Sequence, residues 1–370
     1  MKRLIKYYIE FIIHKYRQYK CYRFYSSQFK NYIKIQGFQN EKVEGEDEYV
    51  SKWKVLSPRV EPFSYRFFSH YVGYSPNIIP EDIGHSYIEP ILNPIPYRLV
   101  YSVKSLFPKI IGANYLPRSI VCRINNSCLL DENFQKAEKD LSVYIGNVNE
   151  LVLKPSIGGS SGKGIIKFFK DGNVFLSDDK NIVLTKEFLS SYGSDFCLQE
   201  AVRQHEFMLR LCSTSVNTIR LCVYKSVKDE KARVLSGILR IGREGSIVDN
   251  VHMGGMIIGV DVCTGELGHC LYDQFGNKTT KWNNVDYAST RFAVPNWQNI
   301  IQFAEMVGSR IYHHRLLGLD IALTESGNPI LIEYNLNSFG YWLFMFTGQE
   351  VFGKYTDEII TYCRTNRPNM

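Results

Sequence analysis

The nine cysteines of this 370-residue chain include no C-x-x-C pair, and its eight histidines show no ligand spacing. His313 and His314 are adjacent and point different ways. Structural zinc and a disulfide-stapled secreted domain are therefore excluded as readings, and a reducing cytoplasm is expected. Long hydrophobic runs are missing too, so no segment reads as a membrane span. The opening stretch, MKRLIKYYIEFIIHKYRQYK, is too interrupted by charge for a signal-peptide core. Most of the chain also lacks a basic excess. Residues 1–36 carry nine basic side chains against Glu10 alone, or +8, while the whole chain totals +7. The remainder is about neutral and offers no continuous footprint for nucleic acid.

What the chain does have is a large apolar fraction, 45%, with 25 Tyr and 22 Phe. That suits a sizeable core divided over two or three domains. Ile5, Tyr8, Ile12, Tyr16 and Tyr19 recur at helical spacing among the basic residues of 1–36. A basic, aromatic, amphipathic helix either lies on an anionic membrane surface or packs on its own domain or a partner. Residues 37–50 are polar and acidic and read as a linker, followed by a proline- and aromatic-rich stretch to about 97. A helix is expected over 97–111, kinked or ended near Pro108. After it come a strand over 118–123, a helix over 132–144 and a strand at 151–153. A helix over 184–192 and a strand over 196–202 follow. Beyond 216 long strands dominate, then a helix over 297–316 and a final hairpin.

The stretch LVLKPSIGGSSGKGI, residues 151–165, has the glycines of a phosphate loop but matches neither the Walker nor the Rossmann spacing. Ile165 to Phe169, an Asp171-Gly172 turn and Val174 to Leu176 follow it, so the loop opens a hairpin rather than a helix. By itself it reads either as a glycine-rich surface turn or as a lid lowered onto nucleotide phosphates.

The final hairpin, GLDIALTESGNPILIEYN, carries the sharpest chemistry. With its turn centred on Ser326-Gly327, Asp320 lies opposite Glu333, and period-two alternation puts Asn335 on the face of Glu333. Like charges facing across strands are destabilising without a cation between them. Two carboxylates and an amide oxygen suit magnesium that also bridges phosphates. The alternative is an exposed hairpin with two solvated acids.

Lys154-Pro155 before the flap, the strand LQEAV and the D-x12-E-x-N hairpin together resemble the ATP-grasp superfamily. KPSIGGSSGKGI, QEAVRQHEFMLRL, SVNTIR, VDNVHMGG and LDIALTESGNPILIEYN resemble in particular its sugar-transfer-associated members, found with bacterial surface-polysaccharide genes. The resemblance runs from about residue 60 to the C-terminus. It implies an α+β ATP-grasp fold, with two lobes of mostly antiparallel sheet clasping ATP behind a helical N-terminal segment. The implied division is 1–36 basic segment, 37–97 linker and pre-grasp region, 98–200 small lobe, 201–370 large lobe.

The resemblance also implies roles. Lys154 reaches the phosphates as a point charge, with Lys104 as the first phosphate lysine and Lys109 as its rival. Ser156, Gly158, Gly159, Ser160, Ser161 and Gly162 form the phosphate lid. Gln199, Glu200, Ala201 and Val202 form the adenine hinge, and Glu206 accepts from a ribose hydroxyl. Asp320, Glu333 and Asn335 hold magnesium. Arg220 neutralises the transferred phosphoryl group and Asn217 orients it. Asp249-Asn250 and Gly254-Gly255 are either a substrate-side loop or a plain turn. Two departures stand out. Val103-Lys104-Ser105 replaces an Asp-Lys-Asn triplet, and Gly318 stands where many ligases of the superfamily carry an arginine. The missing charge is then expected from Arg220, Arg240 or Arg243. The implied activity is an ATP- and magnesium-dependent carboxylate–amine ligase acting through an acyl-phosphate in cell-surface glycan assembly. Its partners are small-molecule or glycan-linked carboxylates and amines, and its expected place is the cytoplasm or the inner face of the membrane. A sugar-kinase-like phosphotransferase and a nucleotide-binding scaffold are the competing readings.

Overall fold

The computed structural model describes residues 2–158 and 162–366. Helix α1 (Lys2–Ile35) leads into α2 (Glu46–Lys54) and α3 (Phe63–Val72). A six-stranded small sheet follows, from β1 (Ser119–Arg123), β2 (Leu130–Asp131), β3 (Glu150–Pro155), β4 (Ile166–Asp171), β5 (Val174–Ser177) and β6 (Phe196–Glu200), in the order β2-β1-β6-β3-β4-β5. The seven-stranded large sheet contains β7 (Thr218–Lys225), β8 (Ala232–Ile241), β9 (Met256–Val260), β10 (Leu267–Tyr272) and β11 (Lys278–Thr279). After a short ribbon of β12 (Lys281–Trp282) and β13 (Val285–Asp286), it is completed by β14 (Leu316–Leu323) and β15 (Pro329–Asn335). Its order is β11-β10-β9-β8-β7-β14-β15, and the pairings in both sheets are antiparallel.

Every residue of β7 and β14 is buried, which is why these strands read as near-continuous apolar runs, interrupted by Arg220 and Lys225 in β7 and by Asp320 alone in β14. On one face Ile219, Leu221, Leu239, Leu319 and Ile321 pack against the helix Trp297–Arg310 through Ile300, Phe303, Ala304 and Val307. On the other, Cys222, Tyr224, Ile238 and Leu316 pack against Phe29, Ile33, Trp53, Phe68, Phe339 and Tyr341. The helices that precede the small sheet therefore cover part of the large sheet. Arg220, Asp320 and Glu333 share a cross-strand row on that same face, with Arg240 one step further along. They form the floor of the candidate site.

Several expectations change. The boundary at 36/37 cuts through packing, because Phe29 and Ile33 of α1 are core residues. Among the described side chains of α1, Tyr8, Ile9, Ile12, Ile13, Tyr16 and Tyr19 are exposed, while His14 packs edge-on against Tyr87 at 5.1 Å. Phe107, Ile111 and Leu116 join the core of the large sheet, so the small lobe starts nearer β1 than residue 98. The expected helix over 97–111 breaks at Val103, in extended backbone. Pro108 instead sits in the first turn of the short helix Phe107–Ile110, where its missing N–H costs nothing. The expected helix over 132–144 shrinks to Leu141–Ile145. The Asp131 carboxylate accepts from the N–H groups of Asn133 and Gln135, which draws the chain into a turn in place of helix. The helix expected to reach 316 ends at Arg310. Among the described residues no helix is long and apolar enough to cross a membrane.

Candidate active site

The hairpin register agrees with its spacing. Asp320 pairs with Glu333 and Gly318 with Asn335, so Glu333 and Asn335 share a face. A bulge follows, since Ile321 pairs with Leu331 and leaves Ile332 as the extra residue.

The two facing carboxylates have different surroundings. Asp320 is 2% exposed and accepts from Arg220, at 2.5 Å from Nε to Oδ1 and 2.7 Å from Nη2 to Oδ2. Arg240 Nη1 adds a third contact at 3.2 Å. Burial by itself would raise the Asp320 carboxyl, but Arg220 and then Arg240 hold it below its ordinary range. Arg240 also reaches Asp249 Oδ1 at 2.8 Å, and Asp249 accepts from the backbone N–H and hydroxyl of Thr218. Thus Asp249 is an anchor that ties the loop after β8 to the floor. The missing arginine at Gly318 is explained as well. A Cβ there would lie 3.3 Å from Phe339 and 3.6 Å from Arg220 Cδ, so the stem of Arg220 occupies that space. Arg243 lies exposed on the loop.

Glu333 keeps a third of its side-chain surface, and Lys104 Nζ stands 3.6 Å from its Oε2. Asn335 turns its Nδ2 toward Gly318 O and Asp320 Oδ2, both at 3.5 Å. Asn335 is half-buried, on the same face as Glu333. Among the described residues no set of three or more His, Cys, Asp or Glu side chains is arranged to hold a metal. The expected set has only two such side chains, with Asn335 as the third member, and within it Asp320 is engaged by the guanidinium groups of Arg220 and Arg240. One carboxylate and one amide oxygen still fit magnesium, which retains waters and takes most of its remaining ligands from substrate phosphates.

Lys154 and Lys104 approach from the small-sheet side. Lys154 is half-buried on β3 opposite Cys197 and forms no ion pair among the described residues. Burial lowers its pKa, and the like charge of Lys104 lowers it further, against the pull of Cys197 and Glu333. Lys104 also reaches Gly158 O at 3.4 Å, whereas Lys109 lies 4.7 Å over the Phe134 ring. Of the two rivals, Lys104 is the one at the site. Ser105 explains the altered triplet: its hydroxyl accepts from Ser156 Oγ at 2.8 Å and its N–H donates to the same oxygen at 2.8 Å, while Lys104 N–H donates to Ser156 O at 2.9 Å. The buried Ser156 hydroxyl is thus a latch that holds Lys104 against the flap, rather than a free donor for phosphate. Gly158, Gly162 and Gly164 take left-handed φ of 74°, 78° and 78°, as a flap turning back on itself requires. A Cβ on Gly162 would lie 3.3 Å from Val248, so the flap meets the loop after β8. Gly159, Ser160 and Ser161 lie outside the described residues.

At the hinge, Gln199 is buried with its amide 3.4 Å from Pro117 O. The N–H groups of Glu200 and Ala201 are already spent, on Arg118 O and Glu150 O at 2.9 Å each. Glu200, Ala201 and Val202 line a cavity of about 480 Å³ with Leu116, Arg118 and Ile330. Glu206 is exposed at the start of the helix Glu206–Leu211.

Asn217 must be reassigned. It is fully buried, donates to Met208 O and Cys212 O at 2.9 Å each, and accepts from Gly242 N at 3.1 Å. Its amide is consumed in joining three segments and has nothing left to orient a substrate. Sequence reasoning missed Glu89, which accepts from Ser338 N–H and Phe339 N–H at 3.0 Å and 2.9 Å. It also missed Asn93, which bonds the carbonyls of Leu316 and Leu336. Their only sequence signal is a four-residue separation in EPILN, and that does not reveal a partner 250 positions away.

No curated protein matches the chain. Solved structures with a similar chain path include an L-amino acid ligase from Bacillus licheniformis, at 10% identity and TM-score 0.32, covering 65% of this chain and 41% of that one. An N5-carboxyaminoimidazole ribonucleotide synthetase in complex with ADP gives 13% and 0.37, covering 67% and 50%. The biotin carboxylase domain of the Hydrogenobacter thermophilus 2-oxoglutarate carboxylase, solved with magnesium ADP, gives 13% and 0.37, covering 72% and 46%. The chain thus spans half or less of the length of each. A family described as sugar-transfer associated ATP-grasp matches residues 88–359, most of the chain, and the protein belongs to it.

Proposed function

We propose that this protein is a magnesium-dependent ATP ligase that activates a carboxylate as an acyl-phosphate and transfers the acyl group to an amine. One observation carries the reading. Lys154 and Lys104, neither of them neutralised in full, converge with Glu333 and Asn335 between a glycine-rich flap and a rigid floor. Such a place favours a polyphosphate with its metal.

Here Lys154 and Lys104 bind the phosphates, the flap amides exclude water above them, and Glu200 to Val202 receive the base, with Glu206 toward the ribose. Magnesium, held by Glu333 and Asn335, supplies charge neutralisation to the phosphate oxygens. Arg220 spends Nε and Nη2 on Asp320, which holds its guanidinium in place and keeps Nη1 for the transferred group. A carboxylate oxygen of the first substrate attacks the γ-phosphorus as the bond to ADP breaks. The amine nitrogen of the second then attacks the acyl carbon, expelling inorganic phosphate and losing its proton to solvent. Positioning and charge neutralisation suffice for both steps. The family's association with sugar transfer is consistent with our reading that the substrate is a sugar or amino acid joined in surface-polysaccharide assembly. Product analysis by phosphorus NMR checks this: ADP and free inorganic phosphate are expected in equal amounts. Phosphate retained on a sugar hydroxyl would support a kinase instead.

The exposed side chains between residues 11 and 23 of α1 fit an anionic membrane surface. Lys15, Lys20 and Arg23 alternate with Ile12, Ile13, Tyr16 and Tyr19, and lie over the rings of Phe11, Tyr16 and Tyr19. Aromatic and aliphatic groups enter the headgroup boundary while the cations meet lipid phosphates. Full-length protein is expected to pellet with phosphatidylglycerol vesicles and to be released by high salt. The triple variant K15E/K20E/R23E is expected to stay in the supernatant. Equal pelleting of both would assign this face to a protein partner.

A further inference from the structure

Beyond the site lies a chain of buried contacts that the proposed reaction does not use. His85 sits in a π-helical turn, Gly84–Ile88, a feature often found where function demands local distortion. Its ring is clamped between two buried carboxylates, Nε2 at 2.9 Å from Glu81 and Nδ1 at 2.8 Å from Glu89. Tyr25 of α1 stacks on it at 5.3 Å with planes 16° apart. Glu89 in turn accepts from Ser338 N–H and Phe339 N–H. Ser338 has φ of +52°, a left-handed backbone that a non-glycine residue holds only when its surroundings impose it. Gly84 completes the grip. A Cβ there would lie 2.5 Å from the Tyr341 ring, so the absence of a side chain lets Tyr341 rest on the π-helical turn. These contacts fix residues 338–341, three positions after Asn335. From the other side, Asn93 bonds Leu336 O at 2.8 Å.

We propose that His85, Glu89 and Asn93 are positioning residues that set the metal-binding end of β15, making the N-terminal helices part of the catalytic apparatus. The inference rests on the reading of Glu333 and Asn335 given above. A carboxylate holding two consecutive N–H groups fixes both the position and the orientation of that peptide segment. The imidazole fixes the carboxylate from behind. Asn335 Oδ1 then meets its ligand without reorganisation. In the absence of Glu89's charge, Ser338 relaxes from its left-handed conformation and the Asn335 amide drifts. Removing a partner bonded directly to a metal ligand typically costs roughly ten- to hundredfold in metal affinity or activity; Glu89 acts through the peptide segment that follows Asn335, so the lower end of that range is expected.

The test measures Mn²⁺ affinity by electron paramagnetic resonance in the presence of AMP-PNP, on full-length protein, alongside AMP-PNP affinity without metal. Glu89→Gln is expected to weaken Mn²⁺ binding at least tenfold and leave metal-free nucleotide binding unchanged. Glu61→Gln is the control, because Glu61 is equally buried, just before the helix Phe63–Val72, but accepts from Phe63 and Ser64 N–H instead. It should bind Mn²⁺ as the wild type does. If Glu89→Gln does not fold, His85→Gln, which leaves Glu89 in place, is expected to show a smaller loss of the same kind. Equal losses in Glu89→Gln and Glu61→Gln, or none in either glutamate variant or His85→Gln, would overturn the proposal. Wild-type protein that binds no Mn²⁺ with AMP-PNP would instead overturn the metal reading beneath it.

Discussion

Glu333→Gln is expected to lower turnover by roughly two to three orders of magnitude, the range seen when one preorganised stabiliser of transition-state charge is removed, while leaving the fold intact. Two features of its surroundings support both halves of that statement. The carboxylate is a third exposed and its nearest cation, Lys104, lies at 3.6 Å, so its contribution to folding is that of a surface pair, at most about 1 kcal/mol. It also faces Asp320 across the hairpin, and removing one of two facing negative charges offsets part of that loss. A group that the fold does not need, aimed between two lysines, is held for a ligand. Steady-state ADP release and a urea melt on the same preparation check this. Turnover within tenfold of wild type would remove Glu333 from the site.

Asp320→Asn should behave in the opposite sense, with stability as the first casualty. Its two oxygens receive three contacts from Arg220 and Arg240, whose side chains are only 10% and 11% exposed. An asparagine leaves Arg220 without a countercharge in a buried place, and a broken buried ion pair costs about 3–5 kcal/mol. Arg240 retains Asp249 at 2.8 Å, which keeps the loss near the lower end. A urea midpoint shift of that size, with turnover lost in proportion to misplaced Arg220, is the expected outcome. A midpoint equal to wild type would mean that Asp320 is a solvated acid after all, and would restore it as a candidate metal ligand.

The contrast between these neighbours shows how far the sequence could be read. Cross-strand pairing of Asp320 with Glu333 was anticipated from a turn at Ser326-Gly327 and a side-chain period of two, both local properties. The structure reaches the same pair differently: the strands next to the turn are centred on Ser326, which alone would set Asp320 opposite Ile332, and the bulge at Ile332 shifts the register by one to bring Glu333 there. Which carboxylate meets a metal and which meets an arginine depends on β7 and β8, whose residues are brought alongside only by the fold. Arg220 and Asp320 are one hundred positions apart. Asn217 shows the same limit. In a strand beside Arg220 it looks like a substrate amide, and only tertiary structure brings Met208, Cys212 and Gly242 to consume it. The flap hairpin and the lysine before it were legible because turn chemistry is local. The division of α1 was not, since Phe29 and Ile33 become core only where α3 meets them. The helix expected over 132–144 fails for a short-range reason, since the Asp131 carboxylate captures the N–H groups of Asn133 and Gln135.

The central claim is that a carboxylate, not a hydroxyl, receives the γ-phosphoryl group. Hydroxylamine intercepts an acyl-phosphate as a hydroxamate and leaves a phosphate ester untouched, so its trapping reads the intermediate directly. With ATP, magnesium and a uronic-acid or amino-acid carboxylate, the wild type is expected to form hydroxamate, and Lys154→Ala and Arg220→Ala to form none. Arg220→Lys should also be weak, because a point charge cannot reproduce the paired grip of a guanidinium. A stable phosphorylated sugar, formed without hydroxamate or free phosphate, would contradict the ligase account.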